Sequence, residues 1–219
     1  MINLSPRLKM IASMVPYGVN AADIGADHGY LIGYLKQNNI IYKGLGVENK
    51  LGPYNILKNN LKELNLDIET SLSDGISFLP DYINTIIIAG MGKDSIIKIF
   101  EDSLDRLLTL DNIVISSHGK MDEIRSYLVN KGYYIDNEDC IIDENKYYEV
   151  SLFKKGHKDY SALEIKYGPI LLANKNEYFV KHIQDQLTKI ENLRNENLPL
   201  NRVEEIINSI KEYQNVLDF

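Results

Sequence analysis

In the first 153 residues, short apolar runs alternate along the chain with longer amphipathic stretches. The runs resemble strands that are buried on both faces, and the stretches between them repeat apolar residues every three or four positions, as helices do. This alternation predicts an α/β domain with a parallel sheet. The predicted strands are 19–24, 40–47, 68–72, 83–89 and 112–116, and the predicted helices are 4–15, 30–37, 55–64, 93–108 and 121–131.

After the fifth strand the pattern changes twice. Residues 132–143 and 146–153 predict an antiparallel hairpin that completes a seven-stranded, mostly parallel sheet. Farther on, two helical tracts, 161–195 and 200–217, are separated near Leu198-Pro199. We therefore predict a Rossmann-like class I methyltransferase fold over residues 1–155, followed by an α-helical coiled-coil hairpin over residues 156–219.

Composition excludes several classes of protein. Hydrophobic residues make up 44% of the chain and charged residues 25%, as in ordinary globular proteins. No apolar run approaches the roughly 18 residues that a membrane span needs, and charges interrupt the N-terminal segment, so no signal-peptide core is expected. The single cysteine, Cys140, excludes an internal disulfide and fits a reducing cytoplasm. Metal-site spacing of Cys and His is absent, so no metal is expected.

The net charge of −7 argues against a nucleic-acid partner. The charge is uneven, however, because residues 154–219 contain ten basic and ten acidic side chains. The first 153 residues therefore carry the whole excess, and a nucleic-acid contact would need a local basic face.

The segment from Val19 to Leu31 joins the first strand to a helix through a turn with two carboxylates. Asp23 ends the strand, Gly25 follows, and Asp27 is the second acid. A strand, a glycine turn and a helix in this order form a nucleotide-binding corner, but a corner built for pyrophosphate should avoid negative charge. S-adenosylmethionine offers hydroxyls, an ammonium and a sulfonium to such acids, and it is the predicted cofactor.

Acids also follow the second and third predicted strands. Glu48 can chelate a ribose diol, which fits NAD equally well, but the G-x-G-x-x-G pattern is absent after Gly25. Asp74 can accept the exocyclic amine of adenine, although Asp-Gly is also a common turn dipeptide. Because parallel strands end at one edge of the sheet, these acids predict a single cofactor crevice.

The fourth predicted strand ends at Gly90-Met91-Gly92. Glycines on both sides of a methionine let the backbone approach a ligand closely, and a methyltransferase presents its acceptor at this place. The Asn/Asp-Pro-Pro-aromatic signature of amino-group methylases is absent. No cysteine is available here for attack on a pyrimidine ring, and Cys140 is predicted to lie in the core.

Together these motifs resemble one family, the bacterial tRNA (adenine(22)-N(1))-methyltransferases, along nearly the full chain. The similar segments are LSPRL, ADIGADHGYL, Glu48, SDG at 73–75, IIIAGMG at 86–92, KYYEV at 146–150 and KYGPILLANKNEYF at 166–179. The resemblance implies methylation of adenine N1 in the D-arm region of tRNA, with S-adenosylmethionine as cofactor. It implies cofactor contacts for Asp23, Gly25, Asp27, His28, Tyr30, Glu48, Asp74, Gly75, Gly90 and Gly92.

The chain departs from the family pattern at two places. Lys93 stands where members commonly have a further glycine, and Ser117-His118-Gly119 stands where they have Gln-Pro-Asn. The second departure makes His118 a candidate substitute for a family residue.

Adenine N1 keeps a free lone pair, so catalysis should depend on alignment and on stabilising positive charge. We expect a buried carboxylate near the methyl group, with Asp27 as the candidate, and expect the backbone at Gly90 and Met91 to orient the base. Tyr30 or Met91 is expected to pack on an unpaired or flipped base. The predicted phosphate contacts are Arg7 and Lys9 on the first helix, Lys93, and lysines of the C-terminal helical hairpin.

Other functions fit the sequence as well. One is a methyltransferase for a protein or small molecule, and another is a non-catalytic RNA-binding module. The C-terminal helices fit either a stabilising or dimerising appendage or a tRNA-binding arm, and the expected state is a monomer or weak homodimer.

Overall fold

The computed structural model describes residues 2–117, 119–193 and 199–218, with one seven-stranded sheet and helices on both of its faces. The strands are β1 Val19–Ile24, β2 Ile41–Glu48, β3 Glu69–Leu72, β4 Thr85–Met91, β5 Asn112–Ser117, β6 Tyr133–Asp143 and β7 Lys146–Lys155. The helices are α1 Pro6–Ser13, α2 Tyr30–Gln37, α3 Leu51–Glu63, α4 Lys93–Glu101, α5 Leu104–Leu107, α6 Met121–Asn130, α7 Ala162–Tyr167, α8 Pro169–Asn174, α9 Glu177–Leu193 and α10 Leu200–Asp218.

The strand order is β3-β2-β1-β4-β5-β7-β6. Strands β1 to β5 pair in parallel, and β7 pairs antiparallel with both β5 and β6. The order reverses between β1 and β4, which is where a doubly wound sheet opens its ligand crevice. The predicted fold class is confirmed.

The centre of the sheet is buried on both faces because its strands carry continuous apolar runs. In β4, Ile86 and Ile88 pack into one core with α4 and α6, whereas Ile87 packs on the opposite face with α1 and α2. All three side chains are fully buried. The ends of these strands are therefore held rigidly, which positions the loops that follow them.

Two helical segments that were predicted to be continuous are interrupted in the structure, so these two predictions are wrong. The predicted helix 93–108 is divided into α4 and α5 at Ser103, whose φ of −142° is not helical. The break lets both Phe100 and Leu107 reach the same core. The predicted tract 161–195 contains three helices. Gly168 adopts a φ of +87° and Pro169 begins a new helix, which separates α7 from α8, and Lys175 adopts a left-handed φ of +42°, which ends α8 before α9.

Strand β4 extends past its predicted end at residue 89. Gly90 has a φ of +79°, and the pairing of β4 with β5 shifts register between Ala89 and Met91. A positive φ is accessible to glycine without steric cost, so the strand can bend here and still include Met91.

The C-terminal helices pack on the outer strands of the sheet around a third apolar cluster. Its buried members are Cys140, Tyr167, Leu171, Leu172, Phe179, Ile183 and Val216. Cys140 is thus a core residue, as predicted. The coiled-coil geometry and the boundary at residue 155 stay predictions, and of the predicted break only Pro199 lies within the described residues. None of the helices in the described ranges is both long and apolar enough to cross a bilayer.

Candidate functional site

The loop between β1 and α2 is fastened to the end of β2. The backbone N–H groups of Gly25 and Ala26 donate to the carbonyl of Val47 at 2.9 and 3.0 Å. Gly25 has a φ of +76°, and a Cβ built on it would lie 2.5 Å from Met91 Cε. Glycine is therefore required here both for the backbone conformation and for the close approach of Met91.

Glu48 supports the same loop from the tip of β2. Its Oε1 accepts the backbone N–H of Asp27 at 2.5 Å, and only 8% of the residue is exposed. Asp27 has a φ of +51°, and its own side chain is 72% exposed. The expectation that Asp27 is buried is therefore wrong, while its catalytic role stays a prediction.

Asp23 is the buried acid at the end of β1, just before this loop, with 3% of the residue exposed. Burial and, to a smaller extent, the nearby charges of Glu48 and Asp27 together raise its pKa from 3.8 to about 7. The backbone N–H of Ile32 opposes this rise by hydrogen bonding. A carboxylate in such surroundings is stabilised most by a positively charged ligand.

A first cavity of about 680 Å³ opens between this loop, the start of α1, the end of β4 and the turn of the β6–β7 hairpin. His28 and Tyr30 stack on each other at its edge, with ring centroids 5.6 Å apart and an angle of 22° between the planes. The cavity is lined by Ser5, Arg7, Leu8, Asp23, Gly25, Ala26, Asp27, His28, Tyr30, Leu31, Ala89, Gly90, Met91, Asp143, Glu144 and Tyr148.

Arg7 forms the wall of this cavity opposite the β1–α2 loop. Its guanidinium lies over the ring of Tyr148, 4.5 Å from the centroid. Its Nε is buried and has no hydrogen-bond partner within the part of the chain that the structure describes. A cation held on an aromatic ring keeps its charge available to an anionic ligand.

A second cavity of about 640 Å³ lies on the other side of Met91, beyond the ends of β2 and β3. Asp74 stands in it and accepts a hydrogen bond from Asn49 Nδ2 at 3.2 Å. The lining residues are Asn49, Asp74, Gly75, Ser77, Gly90, Met91, Gly92, Ser95, Lys98, Ile99, Asp102 and Ser103. Gly90 and Met91 line both cavities, so the end of β4 separates them.

The structure brings most of the predicted site residues to these two cavities and leaves others outside. Glu48 lines neither cavity but holds the loop between them. Lys9 is exposed on α1 and also lines neither. Lys93 forms ion pairs with Asp94 at 2.8 Å and Glu123 at 2.7 Å, which leaves it less free for phosphate than was predicted. His118 lies outside the described residues.

Sequence reasoning missed the contribution of the hairpin. The side chains of Asp143, Glu144 and Tyr148 reach the first cavity because β6 runs in the same direction as β5, so the turn between β6 and β7 lies at the ligand-binding end of the sheet. The available signal was the Asp-Glu-Asn turn, which places acids at a hairpin tip, but its position in space depends on the strand order. Among the described residues, no three His, Cys, Asp or Glu side chains are grouped so as to hold a metal ion.

Residues 4–151 match the protein family described as Methyltransferase domain. The chain is 28% identical over 201 residues to the tRNA (adenine(22)-N(1))-methyltransferase of Bacillus subtilis (strain 168), covering 88% of this chain and 84% of that protein.

Two solved structures are similar over almost the whole chain. One is Streptococcus pneumoniae Sp1610 in complex with S-adenosyl-L-methionine, with a TM-score of 0.89, 27% identity, and 98% of this chain and 100% of that chain covered. The other is M. capricolum TrmK in complex with S-adenosyl-homocysteine, with a TM-score of 0.87, 28% identity, and 98% of each chain covered.

Proposed function

This chain belongs to the methyltransferase domain family and, within it, to the bacterial tRNA (adenine(22)-N(1))-methyltransferases, and we propose that it transfers a methyl group from S-adenosylmethionine to N1 of adenine 22 in tRNA. The observation that carries the proposal is the pair of cavities that meet at Met91. One contains a buried acid and an aromatic stack, and the other contains Asp74.

The residues of the crevice fit this cofactor. Asp23 is a buried carboxylate that gains stability from a cation, which suits the ammonium of the methionine end. Asp74 and Asn49 in the second cavity offer a carboxylate and an amide to the exocyclic amine and ring nitrogens of adenine. Glu48 is at the tip of β2, which lies in the sheet between β1, the strand of Asp23, and β3, the strand that precedes Asp74, and a ribose diol would be bound there.

The cofactor supplies an electrophilic methyl group on a sulfonium. The chain has to place adenine N1 in line with that methyl group and exclude competing water. Gly90 and Met91 separate the two cavities, so the backbone of β4 limits where the base can lie. No general base is needed, because the attacking lone pair on N1 carries no proton.

The first cavity offers the contacts that an extruded adenosine requires. N1 lies on the Watson–Crick edge, so the nucleotide has to leave its stack. The stacked rings of His28 and Tyr30 provide a surface for the base, and Arg7 provides a cation for a phosphate. Asp27, exposed at the same opening, is placed to stabilise the positive charge that develops on the base.

Incubation with methyl-labelled S-adenosylmethionine and an unmodified tRNA transcript, followed by nucleoside analysis, tests the proposal. We expect label in 1-methyladenosine, and none when the transcript carries guanosine at the target position. Asp27→Asn should lower turnover, whereas Asp159→Asn, an almost fully exposed aspartate beyond β7, should not. Label that enters protein or small molecules but not tRNA would contradict the proposal.

A further inference from the structure

We propose that Asp143, the last residue of β6, recognises the exocyclic amine of the target adenine. The inference rests on the proposed function, and it assigns a specificity-determining contact to a part of the fold outside the strand-end loops. It starts from where the hairpin places this side chain.

The two faces of the β6–β7 hairpin contact different parts of the molecule. Cys140 and Tyr147 pack toward the C-terminal helices, whereas Ile141 and Tyr148 pack toward the α1 side. Ile141 pairs with Tyr148 in the ladder, and side chains alternate along a strand, so Asp143 lies on the same face as Ile141. That face is the one that borders the first cavity, and Asp143 lines it.

The tip of the hairpin holds Asp143 in place. Glu144 and Asn145 both have left-handed backbones, with φ values of +48° and +62°. Two consecutive left-handed residues make the tight turn whose twist matches that of the flanking strands. Asp143 pairs with Lys146 across this turn, so its backbone position is set by the ladder.

The carboxylate of Asp143 is free to bind a ligand. The residue is half-buried, and over the described ranges its side chain forms neither a hydrogen bond nor an ion pair. Arg7 lines the same cavity and lies over the ring of Tyr148, and within the described part of the chain it forms no ion pair with Asp143. A half-buried carboxylate without a partner, facing a cavity, is satisfied by a hydrogen-bond donor from a ligand.

The chemistry of N1 methylation identifies that donor. The N1 lone pair forms the new bond to the methyl carbon, and the electrons of the carbon–sulfur bond return to sulfur. The resulting positive charge is shared between N1 and the amine at C6, while that amine keeps both hydrogens. A carboxylate that accepts one of these hydrogens is bound more strongly in the transition state than in the ground state, which accelerates the reaction.

The same contact selects adenine over guanine. Guanine presents a carbonyl oxygen at C6 and a hydrogen on N1, so Asp143 would face an acceptor instead of a donor. An acceptor that the bound base would shield from water and leave without a donor is unfavourable, and a site built around it rejects the wrong base.

The test compares two tRNA transcripts that differ only at the target nucleotide, one with adenosine and one with purine riboside, which lacks the amine. For the wild-type enzyme, Asp143→Asn, Asp143→Ala and the control Asp159→Asn, kcat and KM are measured on both transcripts. The ratio of kcat values between the transcripts isolates the contact between Asp143 and the amine, because the difference in intrinsic N1 reactivity between the two bases is the same for the wild type and all three variants.

We expect Asp143→Ala to lower kcat on the adenosine transcript by about 10- to 100-fold, the range for a hydrogen bond to a charged group. Its preference for adenosine over purine riboside should fall by the same factor, with KM for S-adenosylmethionine unchanged. Asp143→Asn keeps a neutral acceptor in nearly the same shape, so its kcat and its preference for adenosine should lie between those of the wild type and Asp143→Ala. Both quantities should match the wild type in Asp159→Asn.

A preference for adenosine that is the same in wild type and in both Asp143 variants would overturn the inference while leaving the proposed function standing. Wild-type enzyme that methylates neither transcript would instead overturn the proposed function, and the inference with it.

Discussion

Asp23 is the residue of the crevice whose ionisation we expect to respond most directly to the cofactor. Its pKa is raised to about 7 by burial and by the charges of Glu48 and Asp27. An ammonium beside it would favour the ionised form, so binding S-adenosylmethionine should release a proton below that pH. We therefore expect the Kd to weaken as pH falls below about 7, by at most about tenfold per pH unit.

Calorimetric titrations of the cofactor from about pH 5.5 to about pH 8.5, roughly 1.5 units on each side of that pKa, in two buffers of different ionisation enthalpy, measure both the Kd and the released proton. Asp23→Asn should bind weakly and without this pH dependence. A wild-type Kd that stays constant over the whole range would contradict the assignment of Asp23 to the ammonium.

The same shift predicts how Asp23 affects stability without ligand. Below about pH 3.8 the acid is protonated in both the folded and the unfolded chain, so it costs nothing. As pH rises to about 7, the unfolded chain ionises first, and the folded state loses stability. Asp23→Asn should therefore raise the melting temperature relative to wild type at pH 8 and not at pH 4, as thermal unfolding would measure.

At Gly25, both the backbone conformation and the close approach of the Met91 side chain require a residue without a Cβ. Gly25→Ala would place a methyl group 2.5 Å from Met91 Cε, and its φ of +76° also disfavours alanine. The expected result is displacement of Met91 and loss of methyl transfer. Gly132→Ala is the matched control, because Gly132 has a φ of +85° and a Cβ there meets nothing within 4 Å.

Both variants should lose about 1–2 kcal/mol of unfolding free energy from backbone strain, as urea titration would measure. Only Gly25→Ala should lose activity. Equal activity losses in the two glycine variants would show that backbone strain alone explains the effect.

At the scale of elements, Arg125 joins α6 to the hairpin and to α7. Its Nε donates to Glu138 at 2.7 Å and its second guanidinium nitrogen donates to Glu149 at 2.6 Å, with Arg125 and Glu138 fully buried. Gly168 lies against this network, since a Cβ there would be 2.6 Å from Glu138 Oε2. The break between α7 and α8 thus allows both helices to pack on the buried ion pairs.

Arg125→Met should destabilise the protein by about 3–5 kcal/mol, because it leaves two carboxylates without a cation in the interior. The control is Arg202→Met in α10, whose pair with Glu205 is about 60% exposed on each side and should contribute about 1 kcal/mol or less. Urea unfolding followed by circular dichroism measures both. Similar midpoints for the two variants would contradict a structural role for the buried network.

At the scale of the whole molecule, a chain with a net charge of −7 has to bind an anionic partner through a local surface. Arg7 at the first cavity is placed for this, whereas Lys93 is already paired with Asp94 and Glu123. Three phosphate contacts would weaken tRNA binding about 40-fold between about 50 and 200 mM salt. Cofactor binding should change little over the same range.

The Kd for tRNA, measured at several salt concentrations, gives the number of contacts from the slope. Arg7→Met should reduce that slope by about one contact, whereas Lys93→Met should reduce it less. A tRNA affinity that is independent of salt would favour a different acceptor for this enzyme.

The sequence by itself determined the succession of strands along the chain, most of the helices between them, and the acids at the strand ends. Continuous apolar runs separated by helical segments predict buried parallel strands. The carboxyl ends of such strands lie at one edge of the sheet, and this brings together the acids found there, Asp23, Glu48 and Asp74. The resemblance carried by ADIGADHGYL and IIIAGMG led to the same family as the comparisons with known proteins.

Only the tertiary structure decided which of these acids is buried and what else reaches the site. Asp23 and Asp27 are four residues apart, at the end of β1 and in the loop after it, and no local pattern tells that the first is enclosed by the sheet and the second is exposed. Asp143 is far from both in sequence and lines the same cavity. Burial and proximity of this kind depend on contacts between distant elements, which periodicity along the chain does not encode.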